Sequence, residues 1–498
     1  MALLASGFTF AQSGILDTSF GNNGIVNIPG TGQVDMAYAV TTQSDGKIIA
    51  AGMSVYSYCI KRYNTNGSLD ASFGNQGEVI QSIGEISPDI IHDVKVQPDG
   101  KIVVTGTADT YRYMFVARYN SNGTPDTGFG TNGVATWDVY PNSTTMQEVA
   151  TSVFILPDGK LIMAGGVSDP GFMSRWPFIA KFNADGTPDS TFGGIGAILD
   201  TDLGTPESVA CYPDGKVVFV FLDYINDNYT AVFKRYTSTG ETDTSFGTNG
   251  NGIVYVSGGV GNYVSRAMTL QPDGKIVAGG MAVTTPNVGD FSVVRLNYDG
   301  SRDTTFGTNG MIIPLTTPGH DEIQQIIVQP DGKIIGAGLG HSGQSFTLAR
   351  YNANGSADTG FGNAGVISTS INTESHQVTG LTLQADGRIV TSNIVYNTPD
   401  YAHFLLMRYL GGNGTAGIEE LATTGIAIYP NPAANLLNIS NPDNIVLDGI
   451  GILDITGKVV LQQMGNLQQI DVQNLSPGMY FLKLTTNNKE YLHKFIKQ

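Results

Sequence analysis

The sequence predicts an all-β chain: a seven-bladed β-propeller followed by a small Ig-like β-sandwich. Three patterns support this prediction, and each occurs seven times in the 498 residues. They are an Asp-Gly-Lys or Asp-Gly-Arg turn, an Asp-x-x-Phe-Gly segment, and a basic residue followed by an aromatic residue or Leu. Because three separate patterns agree, the chain is a repeat protein of seven units. The Gly surplus (64 residues) suits many tight turns between short strands.

Each unit is predicted to contain four strands, and the second unit shows them most plainly. Strands over 94–96 and 101–104 flank the turn Pro98-Asp99-Gly100, where Gly takes the positive φ of a hairpin turn. A third strand over 115–119 ends at an Asn-Gly turn, and a short fourth strand covers 134–136. Four-stranded sheets repeated along a chain are typical of propeller blades, and an open solenoid is the alternative.

The two ends of the repeat region favour a closed ring. The chain begins inside a unit, with a strand over 25–28, and the seventh unit ends after Tyr409 without a Phe-Gly segment of its own. The N-terminal strand is therefore predicted to complete the seventh blade, which would cover two open sheet edges.

The repeat also resembles a known family. Its Gln-Pro-Asp-Gly-Lys turn, Arg-Tyr-Asn strand end and Asp-x-Ser-Phe-Gly segment are similar to the delta-60 repeat, over residues 14–410. The resemblance implies a propeller in an exported bacterial protein, and it carries no established chemistry.

The last part of the chain differs from the repeats. Residues 411–425 have linker composition, and 426–498 alternate short strands with Pro and Gly turns. The motifs resemble the type A sorting domain of the type IX secretion system of Bacteroidota. The resemblance implies secretion or display on the outer membrane, with the secretion machinery as a partner and removal of the tail. An Ig-like accessory domain is the alternative. The motif residues are Tyr429, Pro430, Asn431, Pro432, Gly457, Lys458, Gly478, Tyr480 and Lys494.

Composition restricts the partners. The formal charge of −17 argues against nucleic acid, which is bound mainly by neutralising phosphates. No stretch is long and apolar enough for a transmembrane helix. Residues 1–11 are similar to the end of a secretory signal peptide, with cleavage expected before Gln12 and the true start upstream of Met1. Two cysteines, Cys59 and Cys211, cannot form a disulfide framework.

Strand parity predicts where binding occurs. In antiparallel sheets successive connections alternate between the two ends, so the short repeated turns share one face of the disc. We call it the turn face; the opposite loop face carries the variable connections, where ligands usually bind. Four aromatic residues in two neighbouring variable loops are candidates for ligand binding, and core packing is the alternative: Trp137, Tyr140, Phe172 and Trp176.

Metal and cofactor sites have weaker support. His320, Asp321 and His341 belong to two loops of one face and form a candidate metal site, although zinc needs three or four converging ligands. The Asn-x-Asn-Gly runs resemble calcium loops, but Asx-turns explain them better. No cofactor is predicted, since no phosphate loop, nucleophile elbow or zinc-protease motif is present.

Three functions remain open from the sequence. The first, which we favour, is a non-catalytic exported propeller that binds a glycan or a surface protein through its loop face. The second is a glycan hydrolase or lyase with carboxylates in the central funnel. The third is a structural component of the cell surface.

Overall fold

The computed structural model describes residues 13–497 except for these gaps: 29–34, 85–87, 140–144, 170–174, 202–205, 226–227, 258–261, 286–287, 314–319, 372–374, 398–400, 412–426, 431–432, 441–448, 454–458, 465–467, 477 and 487–488. The chain divides into two compact units, residues 1–412 and 413–498.

The first unit is all-β and propeller-like, and its described residues form seven four-stranded antiparallel sheets. The strands are β1 (Ile25–Ile28), β2 (Asp35–Thr42), β3 (Ile48–Ser54), β4 (Ser57–Tyr63), β5 (Glu78–Gln81), β6 (Ile90–Val96), β7 (Ile102–Ala108), β8 (Tyr113–Tyr119), β9 (Val134–Trp137), β10 (Gln147–Ile155), β11 (Leu161–Ser168), β12 (Arg175–Phe182), β13 (Ala197–Leu199), β14 (Pro206–Cys211), β15 (Val217–Ile225), β16 (Asn228–Tyr236), β17 (Ile253–Val256), β18 (Tyr263–Leu270), β19 (Ile276–Thr285), β20 (Val288–Leu296), β21 (Met311–Ile312), β22 (Glu322–Val328), β23 (Ile334–Gly340), β24 (Ser345–Tyr351), β25 (Val366–Thr369), β26 (Ser375–Leu383), β27 (Ile389–Asn397) and β28 (Tyr401–Tyr409).

Six sheets use four consecutive strands, and the seventh has the order β1-β28-β27-β26. Ile25 pairs with Met407 and Ile28 pairs with Phe404, so the prediction that the N-terminal strand completes the last sheet is confirmed. One edge strand of each sheet is here called its inner strand, and these are β2, β6, β10, β14, β18, β22 and β26. Neighbouring inner strands pack on one another, including β2 on β26, except that β14 packs mainly on β11 and β12 of the preceding sheet instead of on β10.

One repeated ion cluster joins neighbouring sheets, and it explains why the three sequence patterns occur together. Arg235 is fully buried, and its Nε donates to Asp243 Oδ2 at 2.8 Å. Lys216 Nζ reaches the same oxygen at 2.9 Å, and the guanidinium lies 4.6 Å from the ring centre of Phe246. Its Nη1 donates to the carbonyl of Tyr298 in the next sheet.

We call this arrangement a clamp. It occurs in all seven sheets, as Asp17 with Arg388 and Arg408, Asp70 with Lys47 and Arg62, Asp126 with Lys101 and Arg118, Asp189 with Lys160 and Lys181, Asp243 with Lys216 and Arg235, Asp303 with Lys275 and Arg295, and Asp358 with Lys333 and Arg350.

The clamp carboxylates stay ionised over a wide pH range. Burial by itself raises the pKa of Asp303, but hydrogen bonds from Thr305 and the charges of Arg295 and Lys275 outweigh it and lower that pKa to about 2. In the seventh sheet the carboxylate is Asp17 of the N-terminal segment, so the last clamp ties the two ends of the repeat region together.

The second unit is all-β as well. Its strands are β29 (Ala427–Tyr429), β30 (Leu436–Ser440), β31 (Gly449–Leu453), β32 (Val459–Met464), β33 (Gln469–Asp471), β34 (Gly478–Thr486) and β35 (Lys489–Lys497). They form a sheet β29-β30-β33 and a sheet β32-β31-β34-β35. Leu437 and Ile470 of the first sheet share one core with Ile452, Leu482 and Phe495 of the second. The two antiparallel sheets of this unit therefore share one hydrophobic core.

Candidate functional site: the channel mouth

A polar cavity opens between the inner strands of the first unit. Its volume is about 450 Å³, within the ~300–1,000 Å³ typical of small-molecule sites. It adjoins a deeper channel of about 540 Å³. The lining residues lie between the beginning and the middle of the inner strands, on the side where the connections between sheets arrive, so the cavity belongs to the loop face. We call it the channel mouth.

Each inner strand carries a β-bulge, and the bulged residues line the channel. A bulge inserts one extra residue into a strand, and that residue has no partner on the neighbouring strand. The unpaired residues of the seven bulges all line the channel, and they are Tyr38, His92, Thr151, Glu207, Arg266, Gln324 and Thr379. We call this set the bulge ring. It combines seven equivalent backbone positions with six different amino-acid types.

In five sheets a glycine lies opposite the bulge. A Cβ atom on Gly106 would lie 1.8 Å from the carbonyl oxygen of Ile90, and one on Gly52 would lie 1.9 Å from that of Met36. No side chain fits at such a distance, so the backbone of these five sheets requires glycine there. Gly165, Gly280 and Gly338 occupy the same position, whereas the fourth and seventh sheets have Phe221 and Asn393 there.

One side of the mouth is ionic. Arg266 Nη1 lies 2.7 Å from Glu207 Oε2, and its Nε lies 2.8 Å from Glu322 Oε1. These three residues come from β14, β18 and β22, so one guanidinium joins three sheets. Burial by itself lowers the pKa of Arg266, but the charges of both carboxylates outweigh it and raise that pKa. Arg266 therefore remains a cation that presents its remaining surface to the cavity.

The opposite side of the mouth is aromatic and neutral. The rings of Tyr38 and His92 meet edge to face with their centres 5.5 Å apart. His92 Nε2 lies 3.1 Å from Thr107 Oγ1. Burial lowers the pKa of His92 to about 4, so the imidazole is uncharged at neutral pH. The two rings offer an apolar surface with polar edges.

Amides line the third side and link the sixth sheet to the seventh. Gln324 Oε1 accepts a hydrogen bond from the Val378 backbone N–H at 2.8 Å, and Gln325 Nε2 donates to the Thr379 carbonyl at 3.1 Å. Thr379 Oγ1 donates in turn to the Ala37 carbonyl of the first sheet at 2.5 Å. These contacts hold the side chains of the mouth in place before any ligand arrives.

Two of the aromatic candidates from the sequence, Trp137 and Trp176, do not line this mouth. Trp137 ends β9 and is half-buried, with its ring centre 6.0 Å from those of both Phe178 and Phe182 in the next sheet. Trp176 is half-buried on β12. Tyr140 and Phe172 lie outside the described residues. Trp137 thus takes part in packing between sheets, and its role in binding stays a prediction.

The candidate metal site at His320, Asp321 and His341 stays a prediction. The backbones of His320 and Ser342 bond to each other, which places the two loops side by side. His320 is exposed, Asp321 is buried, and the side chain of His341 lies outside the described residues. Among the residues that the structure describes, no group of three potential ligands converges.

The Asn-rich runs form Asx-turns, as predicted. Asn66 Oδ1 accepts hydrogen bonds from Ser68 N at 3.0 Å and from Ser68 Oγ at 2.8 Å. Asp185 makes the same contacts to Thr187. The side-chain oxygens therefore cap their own turns on the turn face.

The motif residues of the tail lie on its strands where the structure describes them. Tyr429 and Pro430 are exposed at the end of β29. Tyr480 of β34 stacks on Phe495 with ring centres 5.8 Å apart, Gly478 begins β34, and the backbone of Lys494 pairs with Phe481. Asn431, Pro432, Gly457 and Lys458 lie outside the described residues.

Fold and tail together define a class: a β-propeller protein with a separate C-terminal β domain. Residues 427–498 match the secretion system C-terminal sorting domain family. Five segments, 43–73, 97–129, 156–192, 271–306 and 329–361, match the domain of unknown function (DUF5122) beta-propeller. The chain is therefore a propeller protein that carries a type IX secretion sorting domain. Such a domain indicates interaction with the type IX machinery, secretion and attachment to the cell surface.

Solved structures that match the chain share little of its sequence. PorZ, a surface component of the type IX secretion system of Porphyromonas gingivalis, is 12% identical with a TM-score of 0.40, over 93% of this chain and 59% of its own length. The polysaccharide lyase Uly1 is 12% identical with a TM-score of 0.45, over 81% of this chain and 97% of its own. The propeller domain of the Trilobed protease from Pyrococcus furiosus is 10% identical with a TM-score of 0.39, over 76% and 94%.

A comparison with curated protein sequences found no match. In the part of the chain that the structure describes, no helix has the length and apolar character that crossing a membrane demands.

Proposed function

We propose that this chain is an exported, non-catalytic propeller that binds a glycan or a surface protein through its loop face. The observation that carries the proposal is the bulge ring. The backbone repeats there seven times, while the side chains differ from sheet to sheet and converge on one cavity. A rigid scaffold with varied side chains is the usual construction of a specific binding site.

We also infer the detailed architecture of the two units: a closed ring of seven blades in the first and an Ig-like sandwich in the tail. The seven sheets, the pairing of β1 with β28 and the clamp at Asp17 support the ring. The shared core of the two tail sheets supports the sandwich.

One observation favours an enzyme as the second candidate. Glu207 and Glu322 are two carboxylates in the channel, and glycoside hydrolysis commonly uses such a pair. Both, however, hold the same guanidinium of Arg266, which suits an ion network that shapes the mouth better than an acid and a base.

A combined screen of the full chain separates the candidates. The protein is tested on a glycan array, for cross-linking to purified outer-surface proteins, and for release of reducing sugar from the same glycans. Saturable binding without release supports the proposal. Release that Glu207→Gln or Glu322→Gln abolishes would establish the enzyme instead. Absence of both binding and release would leave a structural surface component.

A further inference from the structure

The channel mouth presents three kinds of chemistry around one cavity. Tyr38 and His92 form a neutral aromatic side, Arg266 with its two glutamates forms an ionic side, and Gln324 with Gln325 forms an amide side. A ligand that fills this cavity therefore needs an apolar surface on one side and several hydrogen-bonding groups on the others.

We propose that the channel mouth binds the end of a neutral saccharide chain, with a sugar ring against Tyr38 and its hydroxyl groups on the ionic and amide sides. This inference rests on the proposed function, because it names the ligand class and the place on the loop face.

Hydroxyl groups fit these partners because each hydroxyl both donates and accepts. The carboxylates of Glu207 and Glu322 accept, the guanidinium of Arg266 donates, and a glutamine amide does both. A sugar ring also has C–H surfaces that pack on an aromatic face, which Tyr38 supplies. Arg266 retains 37% of its side-chain surface exposed although it contacts both glutamates, so it can reach a ligand without breaking its ion pairs.

Charge selects a neutral ligand over an acidic one. The channel lining includes the carboxylates of Asp93, Glu207 and Glu322 against the cations of Lys95 and Arg266. The whole chain carries a formal charge of −17. Because like charges in a confined cavity repel, uronic acid or sulfated sugars are disfavoured.

The size of the mouth favours a chain end. Its volume of about 450 Å³ suits a small ligand and not a long polymer, so it admits the last sugar rings of a chain that enters from the loop face. Beyond the mouth the channel lining mixes polar residues such as Asp93 and Lys95 with apolar ones such as Leu270. The mouth is also preorganised by bonds between sheets: Thr379 to the Ala37 carbonyl, and the Val153 N–H to Asp93. Preorganisation lowers the entropy cost of binding.

The test measures binding of defined oligosaccharides to the full chain by calorimetry. The probes are neutral hexasaccharides of glucose and of N-acetylglucosamine, and the acidic hexamer of galacturonate. We expect saturable binding of at least one neutral probe and none of the acidic one. Tyr38→Leu, which keeps bulk but removes the aromatic face, should weaken binding about ten-fold.

Tyr224→Leu is the matched control. Tyr224 is 60% exposed on the same face, but it lies near the tip of the β15–β16 hairpin and does not line the channel. Its replacement should leave binding unchanged. Glu322→Gln is the second variant, and it should weaken binding while Glu207 still holds Arg266. Thermal unfolding of each variant verifies the fold.

The remaining outcomes overturn the inference in distinguishable ways. Loss of binding in Tyr224→Leu with full binding in Tyr38→Leu would move the site to the hairpin. Preference for galacturonate would contradict the charge argument. If no saccharide binds but a purified surface protein does, the inference fails while the proposed function stands; if neither binds, both fail.

Discussion

The clamps and the bulge ring use the same sevenfold backbone in opposite ways. At the clamps, the acid that meets the basic pair is Asp in every sheet, and each basic pair bridges to the next sheet. In the bulge ring, six amino-acid types occupy seven equivalent positions, and they face a cavity. A side chain that must fit an identical neighbour is repeated, whereas a side chain that faces solvent or a ligand is free to differ. The comparison separates what holds the fold from what gives it specificity.

The largest expected effect comes from removing the closing segment. Deletion of residues 1–28 eliminates β1 and Asp17, so the seventh sheet loses its edge strand, and Arg388 and Arg408 lose their shared carboxylate. We expect aggregation, because an open sheet edge pairs with other chains. Light scattering and thermal unfolding measure it.

Asp17→Asn is the control for this deletion, since it weakens the clamp but retains the strand, and it should stay monomeric. A deleted chain that remains monomeric with an unchanged melting temperature would show that the N-terminal strand does not close the ring.

The second prediction compares one charge lost at a clamp with one lost at the mouth. Asp243→Asn leaves the fully buried Arg235 without its charged partner and should reduce the free energy of unfolding by about 3–5 kcal/mol. Glu322→Gln leaves the partly exposed Arg266 paired with Glu207, so its cost should be about 1 kcal/mol or less. Chemical denaturation measures the free energy of unfolding of both variants. If both lose the same amount, the clamp contributes no more to stability than the ion pairs of the mouth.

The third prediction concerns the glycines that permit the bulges. Gly106→Ala places a Cβ atom within 1.8 Å of a backbone oxygen, so the bulge must rearrange. We expect a loss of about 2–4 kcal/mol in the free energy of unfolding. Gly128→Ala is the matched control, because its Cβ would approach only the Asp126 carboxylate, at 3.3 Å. If Gly106→Ala is as stable as the control, the bulge does not depend on glycine.

The smallest effects separate the two regions by pH. His92 at the mouth has a lowered pKa in the folded chain, so the unfolded chain binds a proton at this residue at a higher pH than the folded chain does. The free energy of unfolding should therefore decrease as pH falls from about 6.5 to 4. The lowered pKa of Asp303 means that its contribution is present above about pH 4 and is lost as pH falls towards 2.

Urea unfolding at a series of pH values measures both windows. His92→Gln should flatten the curve between pH 6.5 and 4 only, and Asp303→Asn should flatten it below pH 4 only. A His92→Gln variant that changes only the acid part of the curve would contradict the assignment.

The sequence predicted the repeat, the pairing of its ends and the separation into turn and loop faces. It could do so because the positions of Asp243, Arg235 and Phe246 must hold an acid, a base and an aromatic ring in each unit to form a clamp. It did not predict the bulge ring, because the bulged residues share no chemistry. The available clue was Gly52 and its equivalents, each six positions after the glycine of the turn. Parity also left open which strand of each sheet is innermost, since that depends on packing between sheets.

The pairing of β1 with β28 also sets an order of events for the chain. Residues 25–28 must wait for a partner that lies at 404–407, nearly the whole repeat region later. The long separation has little effect on stability, because the entropy cost of loop closure grows only with the logarithm of loop length. It does slow folding, because strand pairs that are distant in sequence form late. A chain synthesised from its N-terminus can therefore form six sheets one after another, whereas the seventh sheet can form only after the residues up to Tyr409 are present.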